Sequence, residues 1–415
     1  MKRYLCSSWI YFMIVGLAIR MAEQIREIGV GGLELTKEDK EMVNKVLDSN
    51  RLSYGPYVKQ FESEFAKMHD SKFGIMTNSG TSSLHISVAA LKERYGWKDQ
   101  DEILVPAVTF IATSNVVLHN NMRPVFVDVE PNTFNIDPKL IEEKITESTR
   151  AIMPVHLLGL PADMDPIMQI AKKHNLRVIE DSAETMFARY KGRSVGSFGD
   201  VGCFSTYIAH YIITGVGGLN ITSDPELAVQ LRSLMNHGRD SIYISIDDDN
   251  AQTKEKMKEI ISRRFSFVSL GHSFRVTEME GALGLSQLGR KDQVVRRRKE
   301  IAARYLKGMA DLTDRLQFQE TPEDRDNVYM LFGMVCKGDD KRDLVQFLEE
   351  NHIETRDLLP LLNQPVYKRI FGDIEGDYPV AKKINSAGLY IGCHQYITDD
   401  EVDYVIAKFH EFFKR

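Results

Sequence analysis

Residues 179–218 read IEDSAETMFARYKGRSVGSFGDVGCFSTYIAHYIITGVGG, and this stretch decides the fold class. The apolar run that ends at Ile179 leads into a carboxylate pair, Glu180–Asp181. A second β-like run, Val201 to Ser205, is followed by a loop that carries His210 and closes on Gly215, Gly217 and Gly218. An acid at the end of one strand and a base after another is how an α/β enzyme assembles a site, because loops at strand ends converge.

Outward from this stretch, β-like and helical segments alternate. Phe73–Thr77 precedes a helical pattern over 81–94, Ile103–Val105 one over 109–120, Val125–Val129 one over 137–145, and Ala151–Val155 one over 164–174. Such alternation predicts an α/β fold with a mixed, mostly parallel sheet covered on both faces. Upstream, Thr36 caps a helix with Met42, Val43, Val46 and Leu47 on its apolar face, and Gly55–Pro56 opens another with Val58, Phe61 and Phe65. Downstream come Leu219–Thr222 and a helix over 224–236. Residues 239–262 read as an insertion whose Asp247-Asp248-Asp249 run is a solvated loop, since no further metal ligands are spaced around it. A long helix over 291–311, a β-run at Val328–Val335 and helices over 341–351 and 398–412 form a smaller α+β domain. The expected division is a large domain over 21–290 and a small one over 291–415.

A chain of 415 residues is long for one domain, and 43% hydrophobic with 27% charged residues excludes disorder. A net charge of −6 gives no electrostatic case for nucleic acid or an anionic membrane. Four scattered cysteines without CxxC spacing point to reduced thiols and no metal site. Lys2 and Arg3 precede an apolar run, Trp9 to Ile19, that imitates a signal peptide. The run is short for a membrane span and ends in a poor cleavage sequence. Residues 1–20 are therefore expected to be a non-functional leader on a cytoplasmic protein.

Between the first β-run and its helix stands TNSGTSS, residues 77–83. Small residues let a backbone approach a phosphate, and a helix start offers free N–H groups; a plain capped turn reads the same way. Phe110, in VTFIATSN, opens a helical pattern, a place more often filled by core residues.

Taken together these segments resemble the sugar-aminotransferase family, vitamin B6 enzymes acting on nucleotide-linked keto-sugars. Its pattern is ED-x-A-Q, then GxxxGsfGdigcFSF, then a lysine before a glycine-rich turn, and the resemblance spans residues 25–413. It implies an aspartate-aminotransferase-like large domain, pyridoxal or pyridoxamine 5′-phosphate as cofactor, and a homodimer with shared active sites. Gly80 and Thr81 then form the phosphate cradle, Ser205 is a second phosphate contact or a hydroxyl lining the site, Phe110 lies on the cofactor ring, and Asp181 faces the pyridine nitrogen. Glu184 stands where aminotransferases carry Gln or His, an acid as in the family's dehydratase branch. NHG at 236–238 matches a family turn, and GHSFR at 271–275 matches the loop that reaches the partner's site, with Ser273 in place of a phosphate-binding asparagine. His237, Arg275 and His394 fall on the substrate side, the last in a run that a simple strand and turn explains equally well.

Three departures matter: Val216 replaces a glutamate, Ser273 an asparagine, and His210 the lysine. No lysine lies between Lys191 and Lys254, so no shift of register restores it. Histidine cannot tether the cofactor covalently but is a capable base near neutral pH. The branch with this substitution is GDP-4-keto-6-deoxymannose 3-dehydratase. The resemblance thus implies a 3-dehydratase of a nucleotide-linked 4-keto-6-deoxy sugar, with His210 as base, the cofactor held non-covalently and L-glutamate as amino donor. The alternatives are an aminotransferase and, from Val216 and Ser273, a non-catalytic cofactor-binding regulator.

Overall fold

Short runs of Val, Ile and Leu bounded by loop residues become the strands that carry the site. They are seen in a computed structural model that describes residues 27–240, 253–263 and 265–414. The strands are β1 (Phe73–Thr77), β2 (Glu102–Pro106), β3 (Arg123–Val127), β4 (Thr149–Ile152) and β5 (Arg177–Asp181), then a small hairpin, β6 (Arg189–Tyr190) with β7 (Arg193–Ser194), then β8 (Val201–Ser205) and β9 (Gly218–Thr222). Seven of them form one sheet in the order β1-β9-β8-β5-β4-β2-β3. Six run parallel, and β9 runs against both its neighbours.

Alternation within the strands decides which helix covers which face. Ile103, Ala151 and Ile179 join one apolar cluster, while their neighbours Leu104, Ile152 and Val178 join another with Met164, Ile167 and Ala171 of helix Met164–Lys173. Both faces are thus buried, which is why these strands read as continuous apolar runs rather than half-polar ones. Helix Gly80–Tyr95 lies over β8 and β9 with Leu84, Val88 and Leu91 in the first cluster.

Two expected elements differ. The pattern over 137–145 folds as two 3₁₀ turns, Pro138–Leu140 and Glu142–Lys144. Asp137 accepts the Lys139 N–H at 3.0 Å, and three residues per turn align Pro138 with Ile141, both buried. The helix expected from 109 begins only at Ala112, which leaves Thr109 and Phe110 in the preceding loop.

The C-terminal half forms an antiparallel sheet from β10 (Leu316–Phe318), β11 (Leu331–Cys336), β12 (Thr355–Asp357) and β13 (Gly388–Gly392), in the order β10-β11-β13-β12. Helices Lys291–Gly308, Lys341–Glu350 and Asp399–Phe413 cover it, burying Ile301, Tyr305, Leu344, Val405 and Phe409. Ile28, assigned from sequence to the large domain, belongs to this core instead. Its N–H donates to the His352 carbonyl at 2.9 Å, and its own carbonyl accepts from Glu354 at 3.0 Å. Met330, Leu331 and Leu358 reach across into the cluster beneath the large sheet, so the two halves share apolar contacts.

The expected leader, residues 1–20, and Asp247–Asp249 lie outside the described residues. Helix Lys254–Arg263 occupies the end of the insertion. Among the described residues no helix is long and apolar enough to cross a membrane, and no cluster of His, Cys, Asp or Glu is arranged to hold a metal.

One close approach in the fold is testable. A Cβ on Gly74 of β1 would run into the Glu62 carbonyl of helix Pro56–Met68, backbone that cannot move aside. Gly74→Ala should therefore lower stability by about 1–3 kcal/mol, the usual cost of overpacking, read as a reduced urea midpoint at unchanged slope.

Candidate active site

The C-terminal ends of β1, β2, β4, β5 and β8 and the start of β9 share one edge of the sheet, and a cavity of about 410 Å³ opens there. Gly80, Thr81, Phe110, Asp181, Glu184, Ser205 and His210 all line it, and Met330, Leu359 and Tyr390 close it from the C-terminal half.

On one side the wall is a helix start. Ser79 accepts the Ser82 N–H at 3.0 Å on its hydroxyl, capping helix Gly80–Tyr95 and leaving the N–H groups of Gly80 and Thr81 at its positive end. This backbone is tightly seated. A Cβ on Gly80 would stand 2.8 Å from the Ser205 Cβ, and one on Gly218 would lie 2.6 Å from the Gly80 nitrogen. The result is a small-residue cradle of the size and polarity that suit a phosphate.

Asp181 ends β5 with 4% of its surface exposed. Its Oδ2 accepts from Thr113 Oγ1 at 2.8 Å and its Oδ1 from the Ala183 N–H at 3.1 Å; Thr113 in turn bonds Thr109 at 2.7 Å. Burial raises this carboxyl's pKa, while the two hydrogen bonds pull it down. Phe110 is 58% exposed and stands at the cavity rather than in the core. Glu184 accepts the Leu158 N–H at 2.8 Å. Burial pushes its pKa up to about 7; that N–H opposes the rise, and the Asp181 charge adds to it.

His210 is buried, and its Nδ1 has no hydrogen-bond partner among the described residues. Burial, then the charge of Arg298, holds its pKa down at about 3, against a backbone contact with Ala183. The imidazole is therefore neutral at physiological pH, and its surroundings make it a weaker base than the sequence alone implies. No lysine or arginine is among the described residues lining the cavity. A vitamin B6 cofactor fits this donor set: a helix start for its phosphate, an exposed aromatic for its ring, a buried carboxylate for its nitrogen, and an orphaned imidazole nitrogen beside them.

The remaining expected site residues lie elsewhere in the chain. Arg275 donates to Ser273 Oγ at 3.0 Å and to Tyr54 Oη at 2.6 Å, and lies 3.3 Å from His237 Nε2, an exposed cluster away from this cavity. His394, expected near the substrate, lines a separate cavity; its Nε2 lies 3.2 Å from the Gly29 carbonyl. The segment at Gly29–Gly32 packs over His394 there, a Cβ on Gly32 standing 3.0 Å from its ring. Sequence reasoning missed Thr113 and Tyr390. Thr113 had a signal, a hydroxyl four residues after Thr109 in one helix-like register.

A sequence model of the DegT/DnrJ/EryC1/StrS aminotransferase family matches residues 33–410. GDP-perosamine synthase of Caulobacter vibrioides is 33% identical over 388 residues, 92% of this chain and 96% of its own. GDP-4-keto-6-deoxy-D-mannose 3-dehydratase of Escherichia coli O55:H7 is 33% identical over 371 residues, 88% of this chain and 94% of its own. The solved structure of a GDP-4-keto-6-deoxymannose-3-dehydratase with a trapped PLP-glutamate geminal diamine aligns with a TM-score of 0.82 at 30% identity, covering 91% of this chain and 99% of that one.

The Glu184 environment sets a pH dependence. Its folded-state pKa of about 7 lies above the ordinary 4.5, so the proton it holds stabilises the fold fully below pH 4.5 and that support is lost as pH rises through 7. Glu184→Gln has no proton to lose and still accepts the Leu158 N–H. Cofactor-free Glu184→Gln should gain on the wild type by up to roughly 3 kcal/mol between pH 5 and 8, measured by urea unfolding. Parallel pH curves for the two proteins would contradict this.

Proposed function

The chain belongs to the DegT/DnrJ/EryC1/StrS aminotransferase family of pyridoxal-phosphate-dependent enzymes acting on sugars, and on that premise we propose a specific activity. It is a 3-dehydratase of a nucleotide-linked 4-keto-6-deoxy sugar, using non-covalently held pyridoxamine 5′-phosphate and L-glutamate. The observation that carries this reading is a neutral, buried His210 in a cavity with no lysine among its described lining residues.

The bound cofactor supplies the amine that takes the substrate's ketone and a ring that withdraws electrons from the neighbouring carbon. The N–H groups of Gly80 and Thr81 and the Ser205 hydroxyl would hold its phosphate, Phe110 would cover the ring, and Asp181 would keep the ring nitrogen protonated. Met330, Leu359 and Tyr390 exclude water from the substrate side. His210 receives a proton on its imidazole. A lysine's flexible amine returns such a proton to a second carbon well; the shorter, stiffer imidazole does so poorly, so departure of the C3 hydroxyl wins. Across the cycle the sugar loses one oxygen, glutamate becomes 2-oxoglutarate, and nitrogen leaves as ammonia, which balances the atoms.

Because the cavity's described lining offers no Lys or Arg to the carboxylates and phosphates it must receive, the exposed Arg275–Ser273–His237 cluster supports a homodimer in which each chain completes its neighbour's site. A second reading, an aminotransferase, is favoured by the equal 33% identity to GDP-perosamine synthase.

Incubation with pyridoxal phosphate, glutamate and a panel of nucleotide-linked 4-keto-6-deoxy sugars separates these. The expected product is a keto-sugar lacking one oxygen, with ammonia and 2-oxoglutarate in equal amounts, all abolished by His210→Asn. Borohydride reduction should leave no pyridoxyl-lysine peptide from the site. An amino-sugar that keeps its C3 oxygen would replace this reading with the aminotransferase one.

A further inference from the structure

We infer that Arg298 is the positioning residue of this site, one buried guanidinium that fixes the His210 loop against the C-terminal half and ties it to the turn carrying Glu184. The inference rests on the reading of His210 as the base.

Arg298 projects from helix Lys291–Gly308 and is only 1% exposed, yet the groups it bonds are all neutral. Nη2 donates to the His210 carbonyl at 3.1 Å, Nη1 to the Met330 carbonyl at 2.8 Å, and Nε to Gln395 Oε1 at 3.1 Å. The guanidinium lies 4.6 Å from the centre of the Tyr211 ring. From these partners two routes lead to Glu184. Tyr211 Oη donates to the Glu184 carbonyl at 3.2 Å. The Met330 N–H donates to the Leu158 carbonyl at 2.9 Å, and the Leu158 N–H to Glu184 Oε2 at 2.8 Å. A closed circuit of short contacts thus holds base and acid relative to each other.

Burying a charge without a counter-ion is costly, and a methionine would fill the same volume without that penalty. What methionine lacks is the planar fork that reaches three acceptors at once, and the charge. That charge acts on His210, whose surroundings in the cavity are Asp181 and Glu184 from the sheet side, Tyr207 on its own loop and Tyr390 from β13. Arg298 opposes an imidazolium, after burial itself, while a backbone contact with Ala183 favours it. Arg298 does not line the cavity, so its effect on chemistry passes through His210.

The test uses two variants and readouts that need no keto-sugar. In cofactor-free protein, the His210 ring is followed by nitrogen NMR across a pH titration, assigned by its disappearance in H210N. R298M should move the His210 titration to higher pH. R298K keeps the charge, so the titration stays near the wild-type one, while amide hydrogen exchange across residues 206–214 speeds up at least about tenfold as the fork is lost. With turnover in hand, R298K should lower kcat about ten- to a hundredfold with little change in KM, the mark of a displaced base rather than a lost substrate contact. If R298M fails to fold, R298K decides by exchange alone. An unchanged His210 titration in R298M, or wild-type exchange in R298K, would overturn the inference. A chain that turns over no keto-sugar but shows both shifts would sink the functional reading and leave the role of Arg298 standing.

Discussion

Glu180 is the constraint on which the site depends. It is fully buried at the end of β5; its Oε1 accepts the Gly199 N–H at 2.7 Å and its Oε2 the Gly196 N–H at 2.7 Å. The same Oε2 lies 3.0 Å from His156 Nε2, and since His156 Nδ1 accepts the Ala162 N–H at 3.0 Å, the proton is on Nε2 and is donated to Glu180. One carboxylate therefore collects three donors from two loops. It ties the turn before β8 to β5 and the loop after β4 to the same point. Asp181 lies one residue further along β5 and, by the alternation of a strand, faces the other way, into the cavity. Losing the Glu180 anchor would release the turn that leads into β8, the strand that carries Ser205 towards the loop of His210.

This explains why the site was legible in the sequence where it was. A carboxylate pair at a strand end needs one acid for each face, and the glycines at 196 and 199 are what a buried acceptor demands nearby. Backbone can approach Glu180 only where side chains are absent: a Cβ on Gly199 would run into the Val178 carbonyl. The alternating apolar runs gave the parallel sheet for the same reason, each residue committed to one of two buried faces. Short elements were less readable. Strands of three residues at 316–318 and 355–357 carry no period to detect, and Ile28 joins the C-terminal core through backbone bonds that any residue could make.

Arg298 shows a subtler failure. Val294, Arg298, Ile301 and Tyr305 follow the 4-3-4 spacing of one helical stripe, so Arg298 interrupts an otherwise apolar face. The structure buries Arg298, Ile301 and Tyr305 along it. A charge on an apolar stripe was the available signal. It stayed invisible because the carbonyls that receive it, at His210 and Met330, are distant in sequence and belong to loops whose backbone no pattern predicts.

Glu184 and His210 are pushed in opposite directions by the same leading cause. Burial raises Glu184 to about 7 and lowers His210 to about 3, so near neutrality His210 is uncharged and Glu184 stands between its two forms. A lysine at position 210 would meet the same surroundings, and burial beside Arg298 would oppose its ammonium form. Histidine tolerates that neighbour, being neutral already. The position of Arg298 and the neutrality of His210 are thus one arrangement, and a lysine placed at 210 would face a cation held there by the rest of the fold.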